Sequence, residues 1–436
     1  MFTPSVDSDR SVLRAAHAAE LEARIQNREV RVVVVGLGYI GATAMQSLIE
    51  AGFHAHGYDR APAAVERFSA EAQRFAPGGR WTVGTDEAVL READVVIVAV
   101  RALVRLDWSV DLEPLRAVAA TLRAHPRPSR LVVVLSTLPP TTTRRFALDW
   151  LAASADPGLF VVHAPERLQA GNTRWTFRNT PHLVAGLDEP ATRLGAALIG
   201  TFCDTVVPAS APEVTELTKL VENAFMAVGI SFIGEVSRLS HALGLSAEEV
   251  ARAAGTKPFG YFAFLPGPGI GGHCIPNDLQ ILRRVIRDTG LDAPLLDGAS
   301  TTSADMPGLV VDHLSRLLHE RGVSMMGSRV LVVGVGFKIG SPDTTETPAR
   351  DVVRALRARS AEVSYLDEGV AGFVVDGEEV PRVRPEELRP GAFEAGILHS
   401  GDATVSGAAL REAVSVLLDA GGGRLIQGGL HGAYRL

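Results

Sequence analysis

The fold of this chain is decided by the run RVVVVGLGYIG at residues 31–41. Four consecutive valines predict a buried strand of a parallel sheet, because both faces of such a strand are covered. The glycines that follow predict a tight turn that opens a helix over Ala42–Ala51, and a second strand over Phe53–Tyr58 ends at Asp59. Strand, glycine turn, helix, strand and acid in this order are typical of a dinucleotide-binding Rossmann unit.

The glycines and the acid have separate roles in such a unit. Gly36 allows the turn, Gly38 lets a pyrophosphate approach the helix N-terminus, and Gly41 lets helix and strand pack closely. Asp59 lies where a carboxylate binds the ribose 2′-hydroxyl, which favours NAD over NADP, although the neighbouring Arg60 weakens that preference. A tight turn without a cofactor is the alternative. The predicted cofactor-binding residues of this unit are Gly36, Gly38, Tyr39, Ile40, Gly41, Asp59 and Arg60.

Two more apolar strands are predicted downstream, over Ala93–Val100 and Leu131–Leu135. The second of them runs into the hydroxyl-rich segment STLPPTTT at residues 136–143. Parallel sheets bind ligands at the carboxyl ends of their strands. We therefore add Ser136 and Thr137 to the predicted cofactor site, with a helix N-cap region as the alternative for Thr137.

A second informative run is PGPGIGGHCIPND at residues 266–278. Its glycines and prolines exclude a helix or a central strand and predict a tight loop that can press against a ligand. The thiol of Cys274 ends the loop, and the carboxylate of Asp278 follows four residues later. A thiol held against a bound ligand is a candidate nucleophile, and a buried structural cysteine is the alternative.

The second half of the chain begins with a long helix predicted over Ala211–His241. Glu216, Lys219 and Asn223 share one face of it by their spacing, and a solvated stripe is the alternative to a functional face. Amphipathic helices continue to about Arg321. The helix also has more apolar surface than one face can bury within a single segment, which predicts an obligate dimer. That surface consists of Leu217, Leu220, Phe225, Met226, Ile230, Phe232 and Ile233.

A strand over Ser328–Val333, a further glycine turn and a strand over Glu362–Leu366 that ends at Asp367 form a smaller, degenerate copy of the first unit. The predicted fold is α/β, with two Rossmann-like doubly wound parallel-sheet domains joined by an all-helical middle segment. The predicted boundaries are an N-terminal extension at 1–28, an NAD-binding Rossmann domain at 29–210, a helical central and dimerisation domain at 211–324 and a C-terminal Rossmann-like domain at 325–436.

Composition narrows the class of protein. The 436 residues carry a formal charge of −7 with both signs interspersed, so no nucleic-acid partner is expected. Cys203 and Cys274 are not spaced like a metal site or a disulfide framework, which favours a reducing, cytoplasmic compartment. No apolar stretch of about 18 residues and no signal-peptide core are recognised, so no membrane partner is expected. The extension is predicted to be a surface helix or a disordered tail.

In this order, the motifs resemble the UDP-glucose/GDP-mannose dehydrogenase family over about residues 30–436. The motifs that carry the resemblance are GLGYIG at 36–41, STLPP at 136–140, APERL at 164–168, Glu216…Lys219…Asn223, GPGIGGHCIP at 267–276 with Asp278, and GFK at 336–338. The resemblance implies oxidation of the C6 hydroxyl of a nucleotide sugar to a carboxylate with two NAD in succession. The segment TKPFG at 256–260 is more similar to the subgroup that acts on UDP-N-acetylhexosamines.

The resemblance also implies residue roles. Cys274 attacks the aldehyde to give a thiohemiacetal, whose oxidation gives a thioester. Lys219 and Asn223 stabilise the oxyanions, Asp278 and Thr137 hold and activate water, and Glu166 is the acid/base of hydrolysis. The resemblance implies a nucleotide-sugar substrate, bound by the domain at 325–436, and a homodimer through the central helix. It implies no metal. The implied substrate-binding residues are Glu166, Arg167, Leu168, Lys219, Asn223, Leu265, Gly269, Gly271 and Lys338.

The chain departs from the family pattern at its periphery. Arg101-Ala102 stands where the family has Thr-Pro, and Thr345 and Gly429 stand where it has arginines. These departures leave the sugar and the nucleotide open. The alternatives are a two-electron NAD-dependent dehydrogenase on a different nucleotide sugar or hydroxy acid, and a non-catalytic homologue. The number of NADH formed per sugar separates the three possibilities. Four-electron oxidation gives two, a two-electron dehydrogenase gives one, and a non-catalytic homologue gives none.

Overall fold

The computed structural model describes residues 6–105, 107–152, 156–169, 172–337, 342–400, 402, 404–421 and 434–435. The chain forms two compact units, Met1–Val221 and Glu222–Leu436. Each unit contains one parallel sheet, as predicted. The helical middle segment from Glu222 onward belongs to the same unit as the second sheet, and the predicted boundaries at 210 and 324 stay predictions.

The first unit consists of a sheet covered by helices on both faces. Its strands are β1 (Arg31–Val35), β2 (His54–Tyr58), β3 (Trp81–Gly84), β4 (Val95–Val98), β5 (Leu103–Val104), β6 (Val110–Asp111), β7 (Arg130–Val134), β8 (Leu159–His163), β9 (His182–Gly186) and β10 (Val206–Pro208). Its helices are α1 (Val6–Gln26), α2 (Tyr39–Glu50), α3 (Pro62–Phe75), α4 (Glu113–Ala124), α5 (Thr142–Arg145) and α6 (Glu189–Ile199), with a 3-10 turn at Glu87–Glu92 and a π-helical turn at Phe146–Trp150. Helix α7 (Pro212–Ala242) begins in this unit.

The strand order of the first sheet is β10-β9-β8-β7-β4-β1-β2-β3. Six neighbouring strands of this sheet, β3, β2, β1, β4, β7 and β8, are all parallel. Taken in this order, they have the 3-2-1-4-5-6 arrangement of Rossmann domains. Strand β9 adds on antiparallel to β8. In β1, Val32 and Val34 face one hydrophobic core while Val33 and Val35 face another. The run of valines is therefore a strand buried on both faces, as its sequence predicts.

The N-terminal extension is an ordered part of the first unit. Helix α1 packs against α6, and Ala18, Leu21 and Ile25 are fully buried. Arg14 lies 2.6 Å from the carboxylate of Asp188, which also caps the N-terminus of α6. The surface-helix alternative for this segment is therefore the one observed, and its inner face belongs to the core.

Helix α7 is 31 residues long. By length and composition it could cross a membrane, although a core helix of a soluble protein passes the same test. This differs from the expectation that no stretch of the chain reaches that length and hydropathy. The absence of a membrane partner stays a prediction.

The second unit contains a smaller parallel sheet. Its helices beyond α7 are α8 (Ala247–Ala254), α9 (Cys274–Asp288), α10 (Pro294–His319), α11 (Ala349–Arg357) and α12 (Gly407–Ala413), with a 3-10 turn at Pro385–Glu387. Its strands are β11 (Arg329–Val333), β12 (Glu362–Leu366), β13 (Val374–Val375), β14 (Glu378–Glu379), β15 (Phe393–Leu398), β16 (Val414–Asp419) and β17 (Tyr434–Arg435). The order β12-β11-β15-β16-β17 is the 2-1-3-4-5 order of a doubly wound sheet.

The two sheets share one type of glycine turn. Gly36 N–H donates to the carbonyl of Tyr58 at 2.8 Å, and Gly334 N–H donates to the carbonyl of Leu366 at the same distance. The carboxylate of Asp59 accepts the N–H of Leu37 at 2.7 Å, and that of Asp367 accepts the N–H of Val335 at 2.8 Å. The prediction that the C-terminal part is a degenerate copy of the first unit is confirmed.

Four buried histidines link stability to pH. Burial lowers the pKa of His163, His182, His313 and His399 to about 4. Each ring takes up a proton on unfolding between that value and about 6.5, the value of an unfolded chain. The free energy of unfolding should therefore fall as pH drops from about 6.5 towards 4. Burial raises the pKa of Glu216 to about 7, which acts in the opposite direction, but it is one group against four.

Urea unfolding monitored from about pH 8 to about pH 5 measures this effect. We expect the midpoint to decrease steadily below about pH 6.5. A midpoint that does not change across that range would show that these rings are accessible and titrate normally in the folded state.

Candidate active site

The glycine turn after β1 has the geometry that a dinucleotide needs. Gly36 has a φ of +93°, in the left-handed region that favours glycine. A Cβ on Gly41 would lie 1.7 Å from the carbonyl oxygen of Gly36, so only glycine allows this approach of helix and turn. A Cβ on Gly38 would meet nothing within 4 Å, and no side chain caps α2 at this residue. The approach to the N-terminus of α2 is therefore open at Gly38.

Asp59 ends β2 beside this turn. One carboxylate oxygen accepts the N–H of Leu37 at 2.7 Å and the other accepts the N–H of Ala61 at 2.9 Å. Both bonds orient the carboxylate relative to the turn. Arg60 and Tyr39 are exposed, and Ile40 is half-buried.

The loop after β7 is fixed by buried polar bonds. The hydroxyl of Ser136 donates to the carbonyl of Val100 at 2.6 Å. The carboxylate of Glu216 accepts the N–H groups of Thr141 and Thr143 at 2.8 and 2.7 Å and the Thr143 hydroxyl at 2.7 Å. Thr137 is half-buried, and since Thr141 is the N-cap of α5, the N-cap alternative for Thr137 is wrong.

The polar face of α7 is not a solvated stripe. Glu216 is fully buried, and Lys219 and Asn223 are 7% and 9% exposed. Burial is the main reason that the pKa of His182 is lowered to about 4, and the charges of Arg167 and Lys219 contribute to the same shift. Lys219 therefore lies near a histidine that is neutral at pH 7, and a buried amine of this kind is a candidate donor to an oxyanion.

The segment after β8 carries Glu166, Arg167 and Leu168. Glu166 is buried, and its carboxylate accepts the N–H of Leu168. Arg167 donates to the carbonyl of Pro181 at 2.7 Å. Because these residues follow β8 as Ser136 follows β7, they lie at the same edge of the sheet.

In the second unit, Cys274 is the first residue of α9 and is exposed to solvent. The positive end of a helix macrodipole stabilises negative charge at this position, which favours a nucleophilic thiolate. Asp278 lies one turn further along α9 and is buried. The side-chain amide of Asn223 donates to its carboxylate at 2.5 Å. The buried-cysteine alternative for Cys274 is therefore wrong.

The loop before Cys274 is held tightly against the segment that precedes α11. Gly272 donates to the carbonyl of Glu346 at 3.1 Å, and a Cβ on Gly272 would lie 2.8 Å from the ring of Phe337. A Cβ on Gly271 would lie 2.6 Å from Pro348. Gly269 has a φ of +116°, so these glycines serve both the turn and close packing.

Leu265 and Lys338 are the remaining predicted substrate residues with side chains. Leu265 is half-buried at the start of this loop. Lys338 lies outside the described residues. Within the described part of the chain, no group of three or more His, Cys, Asp and Glu side chains could hold a metal ion.

Comparison with known proteins gives the family. Residues 30–202 match the NAD binding domain of the UDP-glucose/GDP-mannose dehydrogenase family, and residues 213–304 match its central domain. The two matches together cover more than half of the chain. This chain belongs to the UDP-glucose/GDP-mannose dehydrogenase family. The resemblance inferred from the motifs is thus confirmed.

Several relatives of this dehydrogenase are known. A UDP-N-acetyl-D-mannosamine dehydrogenase of Pyrococcus horikoshii is 28% identical over 360 residues, which covers 79% of this chain and 84% of the relative. A putative UDP-glucose 6-dehydrogenase of Bacillus subtilis, YtcA, is 27% identical over 380 residues, covering 83% and 84% of the two chains.

Solved structures show the same fold. A UDP-glucose dehydrogenase from Pyrobaculum islandicum superposes with a TM-score of 0.76 at 26% identity, covering 93% of this chain and 98% of the other. A UDP-D-ManNAc dehydrogenase from Pyrococcus horikoshii superposes with a TM-score of 0.81 at 22% identity, with the same coverage, and supports the fold alone.

The prediction of NAD as the cofactor of this dehydrogenase is confirmed by the match of residues 30–202 to an NAD binding domain. The geometry fits it. The open approach at Gly38 leads to the uncapped N-terminus of α2, where a pyrophosphate binds well. The carboxylate of Asp59 is held beside the turn, where it can accept a ribose hydroxyl.

Asp59 should also make this dehydrogenase discriminate against NADP. A 2′-phosphate beside a fixed carboxylate costs several kcal/mol, so we expect kcat/KM to favour NAD by about 100-fold or more. In Asp59→Asn, which keeps an acceptor for Ala61 N–H, most of that preference should be lost. Equal kcat/KM for the two cofactors in the wild type would show that Arg60 overrides Asp59.

Sequence reasoning did not identify His163 and His182. Both are fully buried at strand ends near the predicted site, His163 as the last residue of β8 and His182 as the first of β9. A histidine within an apolar strand was the available signal, because such a residue needs buried partners.

Proposed function

We propose that this protein is an NAD-dependent UDP-sugar 6-dehydrogenase that oxidises a C6 hydroxyl to a carboxylate in two successive hydride transfers. The observation that carries the proposal is the position of Cys274. An exposed thiol at the first residue of α9, one turn from the buried Asp278–Asn223 pair, is what a covalent second oxidation needs. A two-electron dehydrogenase has no use for it.

The chain's own residues take the following parts. Lys219 and Asn223 stabilise the alkoxide of the substrate and the later oxyanions. The Cys274 thiolate adds to the aldehyde carbon and forms a carbon–sulfur bond, which gives a thiohemiacetal. Loss of a second hydride from that carbon gives a thioester, and water then displaces the thiol and releases the acid. NAD, when bound, accepts each hydride in turn.

Water must be positioned and deprotonated for that last step. We assign Asp278 and Thr137 to holding the water and Glu166 to moving its proton. The burial of Asp278 and Glu166 supports the assignment, since both carboxylates are held away from bulk water and can orient a single bound water. Arg167, Leu168, Leu265, Gly269, Gly271 and Lys338 are assigned to binding the nucleotide sugar.

The sugar that we propose is a UDP-N-acetylhexosamine, and UDP-glucose is the second candidate. The proposal is supported by the TKPFG segment at 256–260 and by the relatives named UDP-N-acetyl-D-mannosamine dehydrogenase. The YtcA relative, named for UDP-glucose, favours the second candidate.

A stoichiometric assay tests the function. The protein is incubated with limiting amounts of UDP-N-acetylmannosamine, UDP-N-acetylglucosamine, UDP-glucose or GDP-mannose and excess NAD, and NADH is counted per sugar consumed. We expect two NADH and a uronic acid from a UDP-N-acetylhexosamine. One NADH per sugar would indicate a two-electron dehydrogenase, and none from any sugar would indicate a non-catalytic homologue.

We also propose that the protein is a cytoplasmic homodimer paired through α7. In the second unit, Phe225, Phe232, Leu239 and Leu243 are all more than half exposed. The first three repeat every seven residues and therefore form one stripe on the helix. Of the apolar residues predicted to pair two copies, Leu220 and Ile233 are not available, because they are buried within the chain itself.

A charge in the stripe should separate the dimer. Phe232→Glu is expected to weaken self-association by at least about 100-fold, because a carboxylate would be buried at the centre of an apolar contact. Val12→Glu, at an exposed apolar residue of α1, is the matched control and should leave the dimer intact. Light scattering after gel filtration measures both masses. A wild-type monomer at micromolar concentration, or a protein that sediments with membranes, contradicts the proposal.

A further inference from the structure

A buried polar connection in the first unit has no part in the chemistry proposed above. The ring of His163 is fully buried at the end of β8. Its Nδ1 lies 2.7 Å from the hydroxyl of Thr215 on α7, and its Nε2 lies 3.1 Å from the carbonyl oxygen of Ser136. One ring therefore joins the long helix to the loop after β7.

The partners fix the tautomer of the ring. A carbonyl oxygen only accepts, so Nε2 carries a proton and donates it to Ser136. Burial lowers the pKa of His163 to about 4, so the ring is neutral near pH 7 and Nδ1 carries no proton. The hydroxyl of Thr215 lies within hydrogen-bond distance of two acceptors, Nδ1 and the carbonyl oxygen of Pro212 at 2.9 Å, which share its one proton. The ring thus connects Thr215 of α7 to the carbonyl of Ser136.

A second connection runs in parallel. Glu216, the next residue of α7, holds the N–H groups of Thr141 and Thr143 at the far end of the same loop. Ser136 is held on its other side by the carbonyl of Val100. Two consecutive residues of α7 thus fix the loop 136–143 at both ends, and Lys219 follows one turn later.

The location of this loop indicates what the connection is for. It lies at the carboxyl end of β7, on the half of the sheet away from Asp59 and the adenosine side. In a Rossmann domain that half receives the nicotinamide. We propose that His163 is a positioning residue that sets the nicotinamide side of the NAD site relative to Lys219. The proposal rests on the dehydrogenase function for its kinetic readout and on NAD binding alone for its other readout.

Binding measurements test the proposal without any sugar substrate. His163→Phe keeps a ring and removes both bonds, whereas His163→Gln keeps an N–H that can reach the carbonyl of Ser136. We expect NADH to bind about tenfold more weakly to the Phe variant and nearly normally to the Gln variant. ADP-ribose, which lacks the nicotinamide, should bind both variants as it binds the wild type. An equal loss for NADH and ADP-ribose, or no loss for either, would overturn the proposal.

Kinetics give the second readout. In His163→Phe we expect kcat to fall by about 10- to 100-fold, with the KM of the sugar changed by less than about threefold, because misplaced reacting atoms slow chemistry more than binding. The isotope effect with C6-deuterated substrate should rise as hydride transfer becomes limiting. We expect kcat of His163→Gln to be close to that of the wild type, and Thr215→Val to show a weaker form of the same defect. If the Phe and Gln variants lose the same activity, and the loss of folded protein accounts for all of it, the role of His163 is purely structural.

If the wild type forms no NADH from any sugar, the dehydrogenase function fails while the comparison of NADH with ADP-ribose still decides the role of His163. Thermal unfolding of each variant is measured alongside, so that a folding defect is separated from a change at the site.

Discussion

Replacing Cys274 by serine should reduce formation of the sugar acid by about a thousandfold or more, with NAD binding unchanged. A serine hydroxyl at this position is a far weaker nucleophile, and no thioester can form. NADH per sugar should fall from two to at most one, and any aldehyde that forms should be released and trapped by hydroxylamine. NAD binding should be retained because Cys274 lies in the second unit, whereas the glycine turn lies in the first.

Cys203 provides the matched control. It is buried in the first unit, its Sγ lies 3.3 Å from the carbonyl oxygens of Thr180 and Thr205, and burial raises the pKa of its thiol. Cys203→Ser should therefore form acid at the wild-type rate. Acid production by Cys274→Ser at the wild-type rate, or loss of acid production in Cys203→Ser, would be incompatible with covalent catalysis by Cys274.

Two substitutions in the same turn should affect different properties: Gly41→Ala should lower stability, and Gly38→Ala should weaken NAD binding. The Cβ of Gly41→Ala would lie 1.7 Å from the backbone oxygen of Gly36, so α2 must move away from β1. We expect a loss of about 3 kcal/mol or more in unfolding free energy. The Cβ of Gly38→Ala meets nothing in the protein but occupies the approach to the helix N-terminus. Stability should be unchanged, and the Kd for NAD should rise by about 100-fold.

Each variant is the control for the other. Urea unfolding gives the stability, and NADH fluorescence titration gives the affinity. A Gly38→Ala protein that binds NAD normally would mean that the pyrophosphate does not pass this residue. A Gly41→Ala protein as stable as the wild type would mean that the turn can open without cost.

The parts of the molecule that the sequence predicted are local ones. The turn after β1 follows from three glycines and a valine run within eleven residues, and the loop that ends at Cys274 follows from the glycines and prolines before it. The remainder of that run, Cys274 to Asp278, was expected to be loop and is instead the first turn of α9, where Pro276 is tolerated. These features depend on backbone freedom at single positions. The second sheet was predicted for the same reason, since its glycine turn at Gly334 uses the same local pattern.

The parts that the sequence did not predict are contacts between distant segments. His163 and Thr215 are 52 residues apart, and nothing in the spacing of either indicates the other. The face of α7 that carries Glu216 has the composition of a solvated stripe, but distant segments bury it, including the loop after β7 at Glu216 and Asp278 at Asn223. Helical periodicity shows which residues share a face but not what that face meets.

The packing of α1 has a consequence for where this chain can be shortened. The family match begins at residue 30, yet α1 contributes Leu21 and Ile25 to the core and Arg14 to an ion pair with the cap of α6. A protein trimmed to the matched residues would uncover an apolar surface on the first sheet domain, so the folding unit is longer than the segment that the family model recognises.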